Sequence, residues 1–269
     1  MTLTKPLQLT QTNYHSNEAN REYFSVSQFK DFMECQAKAL AKINGEYEES
    51  YGNALLVGTY THAAFESAEA FRQVFEENSD AIFMKRGNGK YKDFEVADAM
   101  IETIKNDKFA MFAMEGEKEI ILTADLFGVS WKAKIDSINH QRNTFTDLKT
   151  TRSLSQRFWS DKYQKYVSFV EAWDYVLQMA VYREIIHQNM GFYYSPYIVA
   201  VTKEDPPDKA VLHFDDSRFQ FELDFVEHMM EQFVVLKAGE TAPSRCERCP
   251  YCRGTKQLKD TMEIGELLA

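Results

Sequence analysis

The chain has 269 residues, 44% of them apolar, and a formal net charge of −10. This suffices for one sizeable core with at most a small appendage, and the acidic balance argues against a general basic coat for nucleic acid while leaving room for a local basic groove. No run is long and apolar enough to span a membrane and the N-terminus lacks the apolar centre of a signal peptide, so a cytoplasmic location is expected.

Residues 1–24 are polar and weakly patterned, and are expected to form a flexible arm. In SVSQFKDFMECQAKALAKING, Ser27 can cap a helix carrying Phe29, Phe32 or Met33, Ala37 and Leu40, ended near Gly45, with Cys35 on it. LLVGTYTHAAFESAEAFRQVFEEN reads as the next helix. Gly58 would allow close approach near its start, and His62 and Glu66, four residues apart, share a face. Residues 78–92 read as loop, and helix resumes from Glu95 to Asn106.

Glu117 to Ala124 is a strand candidate with a turn near Phe127 and Gly128. Ser130 to Thr151 reads as two strands: Trp131, Ala133 and Ile135 alternate with Lys132, Lys134 and Asp136, and Phe145, Asp147 and Lys149 alternate with Thr146, Leu148 and Thr150. The two-residue period puts Asp147 and Lys149 on one face, with Asp136 able to sit beside them. Ser155 to Asn189 is expected as one long helix with Tyr166, Val170, Trp173, Leu177 and Ala180 as its buried stripe and Gln178 and Tyr182 beside it. Tyr194 to Val201 and Val211 to Phe214 form a strand pair across Pro206 and Pro207. A helix over Phe219 to Leu236, a cysteine-rich segment and a polar tail over 256–269 close the chain. The order predicts an α/β fold with a central mixed sheet flanked by helices.

Two carboxylates and a lysine at this spacing suit a hard divalent ion and an attacking water; the competing reading is a solvated strand face with an Asp/Lys pair. A histidine such as His62 can coordinate a metal through one nitrogen and donate through the other, or can simply be half-buried. Lys149, Arg152, Arg157, Lys162 and Lys165 crowd one segment, as a groove lining or as an ordinary solvated helix start. Cys246, Cys249 and Cys252 are spaced C-x2-C-x2-C, which speaks for metal ligation over disulfides in a reducing compartment. The spacing matches three ligands of a bacterial-type [4Fe–4S] site, with Cys35 as the fourth; zinc and free thiols stay open.

Gly58 with His62, then Asp136, then Asp147-Leu148-Lys149, then Gln178 with Tyr182 together resemble the RecB-type members of the PD-(D/E)-x-K nuclease superfamily, over about residues 25–255. The compact length and cysteine-rich C-terminus look most like the phage-encoded RecE-like exodeoxyribonucleases. The resemblance implies a restriction-endonuclease-like core with residues 25–255 as the nuclease domain. It implies Mg²⁺ (or Mn²⁺) held by His62, Asp136, Asp147 and the Leu148 carbonyl, with Lys149 positioning water and Gln178 and Tyr182 supporting the site. Glu66 and Glu119 are further candidates, and Arg152, Arg157, Lys162 and Lys165 would meet DNA. The implied activity is hydrolysis of linear duplex DNA from the 5′ end in a bacterial host, on behalf of a phage or prophage. The single strand would pass to a RecT-like annealing protein, and a homo-oligomeric ring is one possible assembly. Cas4-like and AddB-like relatives also place one cysteine early and three late, but with one wider late step. The alternatives are a Cas4-like or repair nuclease acting on single strands or flaps, a non-catalytic DNA-binding scaffold, and a redox protein using the cysteines alone. No G-x-x-x-x-G-K-[ST] motif is present, so an ATP-driven activity would need a separate subunit.

Overall fold

Period-two patterning between Glu117 and Thr151 yields three consecutive antiparallel strands, β1 (Glu117–Leu126), β2 (Val129–Asn139) and β3 (Thr144–Thr151). The β1–β2 connection is a two-residue turn in which Phe127 and Gly128 both have positive φ, 55° and 78°, as tight hairpins require. The computed structural model describes residues 7–49, 52–86, 89–258, 260–261 and 263–265. Residues 1–6 of the expected arm, residues 87–88 of the expected loop, and residues 259, 262 and 266–269 of the expected tail lie outside the described residues.

Before the sheet come α1 (Asn17–Glu22), α2 (Val26–Glu34), α3 (Gln36–Asn44), α4 (Asn53–Glu66), α5 (Ala68–Glu77), α6 (Ser79–Ile82), α7 (Lys92–Lys105) and α8 (Lys108–Ala113). After β3 the chain makes a small hairpin, β4 (Phe158–Ser160) and β5 (Lys165–Val167), then α9 (Phe169–Ala172) and α10 (Tyr175–Met190). This crossover lets β6 (Ser195–Thr202) pair parallel to β3, and β7 (Lys209–His213) returns antiparallel to β6. α11 (Ser217–Lys237) and α12 (Pro250–Gly254) follow. The five-stranded sheet has the order β1-β2-β3-β6-β7.

Helices cover both faces of this sheet. On one face Trp131, Ile135, Phe145, Ile198 and Ala200 pack with Leu177 and Val181 of α10, Phe29 of α2 and Phe233 of α11. On the other, Leu148, Val199 and Val201 pack with Val57 and Tyr60 of α4 and Phe94, Met100 and Ile104 of α7. β6 therefore reads as a nearly continuous apolar run, as a strand buried on both sides must.

Several boundaries differ from the expectation. The first helix is two helices: Ser25, not Ser27, caps α2, and the chain breaks at Cys35, whose φ of −164° is extended. Cys35 thus sits in a junction rather than on a helix. The second long helix likewise breaks at Ser67, whose hydroxyl caps α5. α6 and a Phe83–Lys90 bridge occupy residues read as loop, and α8 fills a stretch to which the sequence pattern assigned no element. Ser155 to Asn189 is not one helix: it opens into the β4–β5 hairpin, and Asp174 enters the left-handed region, φ 52°, before α10. Tyr166 and Trp173, placed on the buried stripe, are instead 67% and 53% exposed.

Residues 7–24 are no loose arm. Phe24 exchanges backbone hydrogen bonds with Ser130 and Lys132, each 2.8 Å, and the Tyr23 hydroxyl donates to the Leu7 carbonyl at 2.9 Å. Tyr14, Ala19, Tyr23 and Phe24 are buried. Their irregular spacing gave no periodic signal, because the body they pack against, not their own helix, selects them.

Candidate functional site

The two aspartates lie where the sheet opens. β2 and β3 pair at Asn139–Thr144, Ile138–Phe145 and Ser137–Thr146, and pairing stops there. The next step in the same register would set Asp136 opposite Asp147. On the other side of β2, Lys118–Ser137 and Ile120–Ile135 are paired, but the rung between them, Glu119 opposite Asp136, is not. Glu119 has a positive φ of 54°, a conformation that a non-glycine residue holds only when its surroundings enforce it, and which clusters at functional sites. The Gln11 side chain helps to enforce it by donating to the Glu119 carbonyl at 2.6 Å. Three carboxylates from three adjacent strands thus share one rung, and the ladder is interrupted on both sides of it.

Each aspartate is held by a different layer. Asp136 Oδ2 accepts the Leu148 backbone N–H at 2.9 Å, in place of the partner that Leu148 lacks on its β2 side, and lies 3.2 Å from His62 Nδ1 of α4. Asp147, 4% exposed, accepts from Gln178 Nε2 of α10 at 2.7 Å through Oδ1. Its Oδ2 lies 2.6 Å from Lys149 Nζ, but at an angle that makes no hydrogen bond, so Oδ2 is a buried acceptor without a hydrogen-bonding partner. Tyr182 lies one turn beyond Gln178, near enough for Gln178 to oppose the effect of burial on its hydroxyl. Lys149 Nζ also sits 4.5 Å from the centre of the Tyr175 ring, a cation–π contact.

Burial disfavours every charge in this set, and the pairs decide the outcome. Burial opposes the Asp136 carboxylate, but His62, Lys149 and the Leu148 N–H hold its pKa down at about 2. His62 is moved up: Asp136 outweighs the effect of burial. Burial pushes Asp147 up despite the neighbouring Lys149. Lys149 is also moved up, because Asp147 and Asp136 outweigh its burial. Burial drives Tyr182 well above its ordinary value and keeps it neutral.

The rung opens into a cleft of about 500 Å³ lined by His62, Glu66, Glu119, Asp136, Lys149 and Tyr175, among others. Gly58 lies on its wall, and a Cβ there would meet nothing within 4 Å. The expected close approach at Gly58 is therefore absent, and the glycine leaves open space one turn before His62. Lys134 pairs with Glu119 at 2.5 Å, and burial moves Glu119 up. Sequence reading missed Tyr175, Lys134, His15 and Gln11 as neighbours of the site. His15 and Gln11 come from the segment read as an arm, and nothing local marks them.

The basic residues have different surroundings. Arg152, Arg157 and Lys165 are exposed. Lys162 instead forms ion pairs with buried Glu222 and, at 3.0 Å, with Asp174, so it ties the hairpin to α11.

The four cysteines converge away from this rung. Their sulfurs all lie within 4.8 Å of one another, with Cys35 Sγ 3.5 Å from Cys252 Sγ and Cys246 Sγ 3.9 Å from it. The Cys249 and Cys252 N–H groups donate to the sulfurs of Cys246 and Cys249 at 3.3 and 3.4 Å. Burial pushes Cys249 up to about 12; for Cys246 the backbone N–H groups of Arg248 and Cys249 outweigh burial and bring it down to about 6. Four thiols, largely buried, none in a disulfide and with N–H donors aimed at two of them, can hold a metal centre. The break at Cys35 turns its side chain toward the C-terminal segment, and Ala37 N–H donates to the Ser244 carbonyl at 3.0 Å beside it.

An α/β sheet of this order, opened at an Asp/Asp-x-Lys rung and flanked by a histidine helix and a Gln-bearing helix, is a PD-(D/E)XK-like core. Residues 25–255 match the model of the PDDEXK-like domain of unknown function (DUF3799), and the chain belongs to that family. It is similar to a solved structure of a candidate exonuclease from Eubacterium rectale, with 37% identity, a TM-score of 0.91, and coverage of 98% of this chain and 99% of that one. A second solved structure aligns over 81% of this chain and 90% of its own at 17% identity, with a TM-score of 0.31. No curated protein matches the chain.

Two outcomes follow from these sites. His62 has its pKa raised above the ordinary 6.5 in the folded chain. The stability contributed by its pairing with Asp136 is therefore complete below pH 6.5 and is lost as pH rises through the raised value. In buffer free of magnesium and manganese, the melting-temperature gap between wild type and His62→Ala should be widest below that pH and close on going alkaline; a gap that widens upward contradicts the pairing. Replacing Cys249 by serine should lower the melting temperature and abolish bound metal in elemental analysis, and unchanged values of both would dismiss the cysteine centre.

Proposed function

We propose that the chain is a metal-dependent nuclease that hydrolyses phosphodiester bonds of DNA at the Asp136–Asp147 rung. The observation that carries this reading is the convergence of His62, Asp136 and Lys149 on one open cleft, with Asp147 buried beside it and its Oδ2 2.6 Å from Lys149 Nζ. Two adjacent carboxylates, one with an oxygen met by the Lys149 ammonium but without a hydrogen bond, beside an imidazole fit a hard divalent ion such as Mg²⁺ or Mn²⁺. His62, Asp136, Asp147 and the Leu148 carbonyl would hold it, and it would polarise a phosphoryl oxygen and stabilise charge developing in the transition state.

The remaining steps belong to the chain's own groups. Lys149, steered by Asp147 and backed by the Tyr175 ring, presents an ammonium at the cleft that can orient the attacking water. Gln178 fixes the rotamer of Asp147, and Tyr182 sits one helical turn beyond Gln178 on α10. A neutral Tyr182 stays a hydrogen-bonding group and adds no charge. Exposed Arg152, Arg157 and Lys165 are placed by sequence just past the lysine and would contact phosphates without reading bases.

Within this class, we favour an exodeoxyribonuclease acting on linear duplex DNA from 5′ ends, RecE-like, with a RecT-like annealing protein as its partner. The likeness to the Eubacterium rectale protein, named as a candidate exonuclease, supports the exonucleolytic part. The cysteine centre would be a structural clasp. Sulfur separations of 3.5 and 3.9 Å approach the edge of a tetrahedron around zinc, about 3.8 Å for Zn–S of about 2.3 Å. The sulfurs as they stand would close on one zinc ion, whereas a [4Fe–4S] cluster would need them to move apart.

The test is cleavage of end-labelled linear duplex, linear single strand and covalently closed circle with Mg²⁺ or Mn²⁺, by wild type and Lys149→Ala. Loss of linear duplex from its 5′ ends with the circle spared supports the reading. Lys149→Ala should keep DNA and metal binding while cleavage falls by about 10²–10⁴-fold. Cutting of the circle would make it an endonuclease, preference for single strand would favour the Cas4-like alternative, and wild-type cleavage by Lys149→Ala would overturn the role of that lysine.

A further inference from the structure

The β4–β5 hairpin interrupts the crossover between β3, which carries Lys149, and α10, which carries Gln178. It presents two large rings to solvent: Trp159 is 54% exposed and Tyr166 67%. They are a cross-strand pair, set edge to face with centroids 5.5 Å apart. Trp159 is further fixed by its indole N–H, which donates to Asp161 Oδ1 at 2.9 Å. The opposite side of β4 does what a small hairpin needs for anchorage: Phe158 packs against the main core and lies 5.6 Å from the Trp173 ring. The exposed pair is therefore not needed to hold the hairpin in place.

We propose that Trp159 and Tyr166 form a stacking platform for the bases of an unpaired polynucleotide strand. This rests on the nuclease reading and adds to it the strand that the site engages. Two observations select that occupant. The first is charge. Residues 149–165 hold five cations, Lys149, Arg152, Arg157, Lys162 and Lys165, against the single acid Asp161, in a chain of net charge −10. Lys162 is consumed by Glu222 and Asp174, and Lys165 has Glu171 at 3.9 Å, but Arg157 directly precedes β4 and is exposed. Cations interleaved with solvent-facing rings are the pattern by which single strands are held: phosphates meet the cations and bases stack on the rings, whatever their sequence.

The second is continuity with the reacting end. Lys30 Nζ donates to the Trp173 carbonyl at 2.6 Å and lies 5.0 Å from the Tyr175 ring centre. Lys149 lies over that same Tyr175 ring at 4.5 Å. Contacts thus run from Lys149 through Tyr175 and Lys30 to the Trp173 backbone, and the Trp173 ring meets Phe158 at the root of the hairpin, so the hairpin that carries the exposed pair is anchored beside the reacting end.

The probe is a fluorescein-labelled oligothymidylate, titrated by anisotropy against full-length wild type, the Trp159→Ala/Tyr166→Ala double variant and Trp159→Phe, with cleavage of linear duplex measured in parallel. Stacking predicts that the double variant loses single-strand affinity by about 5- to 150-fold for each ring that stacks a base. Trp159→Phe should keep most of the affinity, and the melting temperature should stay at the wild-type value. Oligothymidylate should also quench wild-type tryptophan emission, less so in the double variant. Undiminished affinity in a double variant of a protein that does cleave DNA overturns the platform and leaves the nuclease reading standing. A wild type that neither cleaves nor binds any polynucleotide overturns both. Full affinity accompanied by a change in self-association would assign the rings to a protein contact and likewise overturn the proposal.

Discussion

Keeping charged carboxylates at one rung of a buried sheet is the constraint on which the rest of this structure depends. Asp136 and Asp147 are both taken largely out of water, and an isolated carboxylate there would protonate rather than remain charged. Each is therefore answered from a different direction. His62 comes from the helical layer on one face and Gln178 from the layer on the other; Lys149 comes from the strand itself, and the Leu148 N–H is freed by the end of the β2–β3 ladder. Removing one partner would leave a buried charge uncompensated, and that costs far more than the net contribution of the intact pair. One oxygen, Asp147 Oδ2, is met by the Lys149 ammonium but by no hydrogen bond, and a cation bound at the rung would relieve that deficit.

The outlying features can be read as supports for this arrangement. The N-terminal segment props the left-handed Glu119 through Gln11 and delivers His15 to the cleft wall. The cysteine centre joins the α2–α3 junction to the C-terminal segment, more than 200 residues away, and so closes the chain around the helical layer that packs on Trp131. Trp131, fully buried and surrounded by Phe24, Phe29 and Phe127, couples that layer to the strand that carries Asp136.

Much of this was legible in the sequence where the signal is local. A strand's two-residue period put Asp147 and Lys149 on one face, a helical turn put His62 and Glu66 on one side of α4, and the C-x2-C-x2-C spacing announced a thiol cluster. What escaped depends on the rest of the fold. The stretch from Ser155 to Asn189 has apolar residues at helical spacing and no glycine or proline, yet tertiary packing folds its first part into a hairpin and turns Tyr166 outward. The break at Cys35 has no helix-stopping residue; the pull of the other three cysteines and of Ser244 accounts for it. Residues 7–24 looked like a tail because their buried side chains answer to distant partners. The strained Glu119 sits inside a good strand pattern, so no sequence period could mark its backbone as unusual.

The claim that the interrupted rung is a metal centre is most directly tested by anomalous diffraction from crystals of the wild-type protein soaked in Mn²⁺. The expected result is a manganese peak at His62, Asp136 and Asp147, with Lys149 Nζ released from Asp147 Oδ2. The absence of a peak at the rung, with Lys149 still paired to Asp147 at saturating Mn²⁺, would contradict it.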